Sequence, residues 1–256
     1  MRAPDDLRAL VEEYLSELAL TPELSGLESA LRYALDGGGK RIRPVLVLAT
    51  AEAAGSSAEA ALPAAAALEL VHTFSLVHDD LPCMDDDAER RGRPSTWAEF
   101  GEAVGLLAGD ALLAEAFRLA LAYSGPEVAR ELAQATLGMI GGQFLDIGDG
   151  DVDLAELHRL KTGRLFAAAI GLGLWVAEVP PAEQVPWRAF SEELGLLFQV
   201  VDDVLDGDGY ALRLGADGAR ELAAESASRA RDRLAAVPAD TAVLAEIVDA
   251  LAVRTA

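Results

Sequence analysis

Lysine is almost missing from this sequence: Lys40 and Lys161 are the only two in 256 residues, and arginine supplies the other side-chain positive charge. Cysteine is scarcer still, with Cys83 alone, which excludes an intramolecular disulfide and a cysteine-built zinc site. Aromatic residues make up 5% of the chain, and the formal charge is −22. So acidic a surface repels phosphate backbones, so no nucleic-acid partner is expected. The most apolar windows also fall short of the ~20 uncharged residues a bilayer requires. Gly101–Tyr123 carries Asp110, Glu115 and Arg118, and Phe166–Ala177 is too short. The opening MRAPDDLRALVEEYL is acidic where a signal peptide is apolar, so a cytoplasmic protein that does not span a membrane is expected.

What is present is alanine and leucine, within a 52% hydrophobic composition. Both residues lose little side-chain freedom in a helix. Apolar positions recur at three and four, and Gly125-Pro126 and Pro180-Pro181 punctuate them. Thr21-Pro22 reads as an N-cap with proline at the first helical position, and Asp153 to Glu156 has capping-box spacing. The pattern predicts helices near 4–19, 22–35, 41–54, 62–80, 101–123, 126–145, 154–178, 182–205, 217–236 and 239–254. With no strands, linker or repeat, residues 1–256 read as an all-α, single-domain bundle of about ten helices.

Two acidic clusters stand out. After an apolar helix, Asp79-Asp80-Leu81-Pro82-Cys83-Met84-Asp85-Asp86-Asp87 packs five aspartates into nine positions. Carboxylates this close raise one another's pKa unless a cation intervenes. Oxygen-only ligands suit a hard cation, and Mg²⁺ takes one or two carboxylates with water and substrate phosphates. In the second cluster, Asp202 and Asp206 stand four apart with Asp203 beside them, at the end of another apolar helix. Negative charge there opposes the helix dipole. Two such arrangements in one apolar bundle predict a shared, inward-facing metal cage.

Positive charge gathers in three places: Gly37-Gly38-Gly39-Lys40-Arg41-Ile42-Arg43, Arg90-Arg91, and Lys161-Thr162-Gly163-Arg164. Glycines ahead of a basic helix start allow amides and cations to converge on an anion. Cations around a carboxylate cage fit diphosphate substrates.

In order along the chain, Gly38-Gly39-Lys40-Arg41-Ile42-Arg43-Pro44, Asp79 through Arg91-Gly92, Gly109-Asp110, Gly141-Gly142-Gln143, Lys161-Thr162-Gly163 and Phe198-Gln199 with Asp202–Asp206 resemble the trans-isoprenyl diphosphate synthases. The resemblance implies the isoprenoid synthase fold, with helices around a central cavity, and a homodimer. It implies condensation of an allylic diphosphate with isopentenyl diphosphate, with Mg²⁺ as cofactor, three ions when substrate is bound. It further implies that Asp79, Asp80, Asp85 and Asp202 bind metal, with Lys161 and Asp203 completing the catalytic set. Lys40, Arg43, His72 and Arg91 would hold isopentenyl diphosphate. Arg90, Lys161, Thr162 and Gln199 would contact the allylic diphosphate.

His78 and His158 are read as structural, and Trp97, where the family often has histidine, receives no role. Phe74, five residues before Asp79, and Ser75 are expected to set product length. In the family an aromatic residue at that position blocks the tunnel, which favours fifteen-carbon farnesyl diphosphate over the twenty-carbon alternative. One departure stands against the resemblance. A Gly-Lys loop usually follows the second cluster, yet no lysine follows Lys161 here, and Arg213 in that stretch reads as an exposed loop arginine rather than as its substitute. A non-catalytic subunit of a heteromeric synthase and a terpene cyclase are the competing readings. The first is expected to lose an aspartate cluster, and the second has no use for Lys40, Arg43, His72 and Arg91.

Overall fold

The computed structural model describes residues 1–148 and 153–255. Its helices begin with α1 (Pro4–Glu17), which has Pro4 at the first position, Asp5 and Asp6 in the first turn, and Leu7, Val11 and Leu15 turned inward. The expected helix at 22–35 divides. Pro22–Leu24 is one 3₁₀ turn, and α2 starts only at Glu28, running to Leu35. Thr21 caps nothing with its side chain, and its N–H donates instead to Glu115 Oε1 at 3.1 Å.

Helices α3 (Ile42–Ala53) and α4 (Ala58–Asp79) form the middle of the bundle. α4 starts four residues before its expected position, capped by Ser57, whose Oγ accepts from the Ala60 N–H. It continues through Pro63, which cannot donate and crowds the preceding turn. Tyr123 repairs the damage. Its hydroxyl donates to Ala60 O at 2.8 Å and accepts from the Ala64 N–H at 3.2 Å, standing where a helical hydrogen bond would be. Burial pushes the Tyr123 phenol up to about 12.

α4 is also long and apolar enough to cross a membrane, a window the sequence reading passed over. Of that window 67% is buried inside the protein, as in a core helix.

A hairpin follows where no strand was expected: β1 (Glu89–Arg90) pairs antiparallel with β2 (Arg93–Pro94). Arg91 and Gly92 form the two-residue turn with φ of 55° and 77°. Both central residues of such a turn need positive φ. Next come α5 (Thr96–Phe100) and α6 (Glu102–Ala120), separated at Gly101, where φ is 91°.

α7 (Glu127–Asp146) precedes α8 (Leu154–His158), for which Asp153 is the side-chain cap. The expected helix at 154–178 contains a π turn, Arg159–Gly163, before α9 (Arg164–Val176). α10 (Val185–Asp206) leads into α11 (Gly209–Ala235), which bends at Gly215 (φ 74°, ψ 160°) and starts before the predicted 217. α12 (Ala242–Ala252) ends in the 3₁₀ turn Val253–Thr255. One continuous apolar cluster, from Leu7 to Leu251, joins these helices.

Tyr123→Phe should destabilise the protein by about 1 kcal/mol, since Ala60 O and Ala64 N–H lose the hydroxyl that bridges them. Chemical denaturation measures this, and an unchanged midpoint would show that the bridge contributes nothing.

Candidate active site

α4 and α10 each end in aspartates, and both helices deliver one of them to the same place. Asp79 and Asp202 line a cavity of about 620 Å³. Phe74 and His78 from α4, Leu113 from α6, and Met139 and Ile140 from α7 also line it. Adjacent residues on a helix point ~100° apart, so the neighbour of each aspartate faces elsewhere. Asp80 is buried in a separate hollow and clamped by Arg90, whose Nε lies 2.8 and 2.9 Å from the two carboxylate oxygens. Asp203 is buried too, accepting from Gln199 Nε2 at 2.6 Å and from the Tyr210 N–H at 2.8 Å. It ties α10 to α11 and is absent from the cavity lining.

The two cavity aspartates are electrostatically uncomfortable. Burial pushes Asp79 up to about 6, with Asp85 and Asp80 pushing the same way against Lys161 and Arg90. Asp202 is also raised, first by burial and then by Asp206. Both gain from a cation between them. Lys161 reaches the cavity on the π turn, where its ammonium pairs with Asp146. Gly142 makes that turn possible. A Cβ there would meet the Lys161 backbone nitrogen at 2.3 Å, so only glycine lets α7 approach so closely. π turns of this kind occur often at functional sites.

Beside this cavity lies a smaller hollow of about 350 Å³, lined by Lys40, Arg43, His72 and Arg91. Arg43, His72 and Asp202 belong to both, so the two spaces share a wall. Arg43 has no carboxylate partner among the described residues. Its Nη1 donates to His72 Nε2 at 3.3 Å, its Nε is buried and unpartnered, and its guanidinium lies over Phe166 and Phe198. Burial draws it down to about 10, so it stays cationic at neutral pH. Burial, then Arg43 and Arg91, hold His72 well below its ordinary value, which leaves a neutral ring free to accept at Nε2. The hairpin turn brings Arg91 to the carbonyl of Gly38. The glycines ahead of α3 therefore make room for arginines: a Cβ on Gly39 would stand 3.0 Å from Arg91, and one on Gly37 3.0 Å from Arg93. Arg41 turns away to Glu69 at 2.6 Å and Glu12 at 3.0 Å, so it serves the fold.

The sequence matches the polyprenyl synthetase family over residues 25–227. It is 38% identical over 226 residues to a farnesyl diphosphate synthase of Bacillus subtilis, covering 82% of this chain and 76% of that one. It is also 38% identical over 236 residues to a geranylgeranyl diphosphate synthase of Cyanophora paradoxa, covering 86% and 79%. A geranyltransferase structure from Legionella pneumophila superposes with a TM-score of 0.84 at 33% identity, covering 98% of both chains. The chain belongs to the polyprenyl synthetase family.

As a member of that family it is a trans-prenyltransferase, with the all-α isoprenoid synthase fold. Within that frame the structure gathers Asp79, Asp202, Lys161, Thr162, Phe74, Ser75, Arg43 and His72 around one cavity, and Lys40 and Arg91 in the adjoining hollow. It leaves Asp80, Arg90, Gln199 and Asp203 paired elsewhere, and Asp85 exposed. Among the described residues, no three acidic, histidine or cysteine side chains form a ready-made metal cluster, and of the expected cage only Asp79 and Asp202 line this cavity.

Three polar residues of the cavity lining had no assigned catalytic or binding role. Gln143 has both amide atoms buried without partners, and its Gly-Gly-Gln motif was the available signal. His78, read as structural, lines the cavity while bonding Leu106 O at 3.0 Å, and it fills the space Gly109 leaves. Asp110 joins the same wall.

Because the folded pKa of Asp79 is raised, the native state holds that proton after the unfolded chain has lost it. Stability therefore falls as pH rises from about 4 to about 6. In the absence of divalent cations, Asp79→Asn should unfold at a higher temperature than wild type at pH 7.5. The two should converge below pH 4. Equal midpoints at both pH values would refute the buried-charge account.

Proposed function

We propose that this trans-prenyltransferase condenses dimethylallyl or geranyl diphosphate with isopentenyl diphosphate, releasing diphosphate and ending at farnesyl diphosphate. One observation carries the reading: Asp79 and Asp202 line a single cavity whose wall also holds Arg43, a half-buried cation with no carboxylate partner among the described residues and a buried, unpartnered Nε. The residues present fit Mg²⁺, since that ion takes only one or two protein carboxylates and leaves the rest of its shell to water and phosphates. Asp79 and Asp202 would hold it, three ions with substrate bound, and its chemistry is to neutralise charge on a departing diphosphate. Asp80 and Asp85 join them only if Arg90 releases the first and the exposed turn brings in the second.

The chain's own groups divide the remaining work. Lys40, Arg43 and Arg91 offer three cations to the diphosphate of isopentenyl diphosphate, and neutral His72 orients Arg43. Lys161 and Thr162 face the allylic diphosphate, with Arg90 and Gln199 free to contribute once they leave Asp80 and Asp203. Asp203 contributes by holding α10 against α11. Leu113, Met139, Ile140 and Leu165 keep water from a carbocation formed in the cavity. The single apolar cluster supports residues 1–256 acting as one domain.

Phe74 supports the fifteen-carbon product. Its ring lines the cavity one helical turn and a residue below Asp79 and packs edge-on against His78 at 4.9 Å between centroids. Ser75 is held by its bond to His72 O at 2.8 Å. Geranylgeranyl diphosphate is the second reading, favoured by equal 38% identity to relatives of both kinds. Incubation of purified enzyme with dimethylallyl and isopentenyl diphosphates and Mg²⁺ should give mainly fifteen-carbon product by chromatography. Phe74→Ala should move the distribution to twenty carbons or longer. No product from wild type would end the enzyme reading, and an unaltered distribution would remove Phe74 from length control.

We also propose a homodimer. Leu137, Ile140, Phe144 and Ile147 follow one face of α7 at helical spacing and are 69%, 46%, 71% and 52% exposed, with Leu106 and Leu107 of α6 also exposed. An apolar strip of this kind suits a second copy of the chain. Sedimentation should give twice the monomer mass for wild type and the monomer mass for Leu137→Asp, since Leu137 alone of the four lies outside the cavity lining. A monomeric wild type would exclude the pairing.

A further inference from the structure

No lysine follows Lys161, so the cation expected beyond Asp206 is missing from its usual place. Arg213 does not replace it. That residue is exposed on α11 and acts on His158 and Tyr210, which line a different hollow. Another arginine comes from the far end of the chain. Arg254, in the turn Val253–Thr255 that packs on α10, lines a space of about 410 Å³ together with Lys40 and Ile42. Lys40 and Ile42 also line the basic hollow with Arg43, Arg91 and Asp202, so the two spaces adjoin.

Arg254 Nη1 is buried without a hydrogen-bond partner, and neither Arg254 nor Lys40 forms an ion pair among the described residues. Through the shared lining of Lys40 and Ile42, Arg254 stands beside the hollow that Asp202 lines, near enough to act on both Asp202 and Lys40. Arg254 is also the strongest charged neighbour of Lys40, and it opposes that residue's protonation. Two cations converging on one carboxylate, one of them with a buried and unsatisfied donor, leave room for more negative charge than Asp202 provides.

We propose that Arg254 is a further diphosphate-binding residue, reaching in from the chain end to the diphosphate gathered at Asp202 and supplying the charge of the absent loop lysine. The assignment rests on the prenyltransferase reading above and deepens it. A guanidinium can hold two phosphate oxygens at once, so it suits this role better than a point charge.

Inorganic diphosphate with Mg²⁺ tests binding without turnover. Calorimetric titration should show Arg254→Ala weakened about tenfold, the scale of one charge-assisted hydrogen bond. Arg254→Lys should retain most of the affinity. Arg220→Ala, which breaks only an exposed pair with Asp217, should match wild type. In steady state, Arg254→Ala should raise KM for the allylic diphosphate about tenfold, with a smaller change in KM for isopentenyl diphosphate and the thermal midpoint unchanged. Equal diphosphate affinity in wild type and Arg254→Ala, or a KM change confined to isopentenyl diphosphate, overturns the assignment. A wild-type protein that binds no diphosphate at all defeats the underlying reading as well.

Discussion

Arg43 enters the wall of an apolar bundle with its Nε buried, its Nη1 on a neutral histidine, and two phenyl rings beneath its plane. Aromatic faces and an imidazole soften the burial of a guanidinium, but they do not neutralise it. In the wall of the same cavity, Asp79 and Asp202 are half-buried carboxylates that partial burial and their acidic neighbours disfavour as anions. The protein thus keeps a positive wall and a negative pair apart, each lacking the partner that would settle it. In the proposed function, a metal-bound diphosphate would supply both partners, with anionic oxygens for the arginine and cations for the aspartates.

The backbone is shaped to keep this separation. Arg91 and Gly92 turn with positive φ, which sends Arg90 back to Asp80 and Arg91 forward to Gly38. One two-residue turn therefore sends two neighbouring arginines to different partners. The π turn at Arg159–Gly163 does similar work for Lys161, and Gly142 admits it because no Cβ stands in the way. Such local irregularities carry strain, and the regular helices α3, α4, α9 and α10 provide the surrounding packing that fixes them.

Much of this was readable in the residues. Apolar spacing gave the helical class and most helix ranges, and the ordered motifs gave the family and pointed to some of the residues that line the cavity, among them Asp79, Asp202 and Lys161. The failures have specific causes. The helix at 62–80 was placed too late because a proline ordinarily marks a helix start, and the hydroxyl that lets α4 run through Pro63 comes from Tyr123, distant in sequence. Arg41 reads as one of a basic run, yet its left-handed backbone and the carboxylates of Glu12 and Glu69 commit it to the core.

Composition and order determined what kinds of groups this protein has: helices, two aspartate clusters, few lysines, and arginines where anions are wanted. Tertiary structure decided which member of each cluster faces the cavity. Asp79 and Asp80 are adjacent in the chain, as are Asp202 and Asp203, but each pair splits between two environments because neighbouring helical residues point ~100° apart. Where each side chain finds its partner depends on helices that meet only in three dimensions, and no local pattern encodes that meeting.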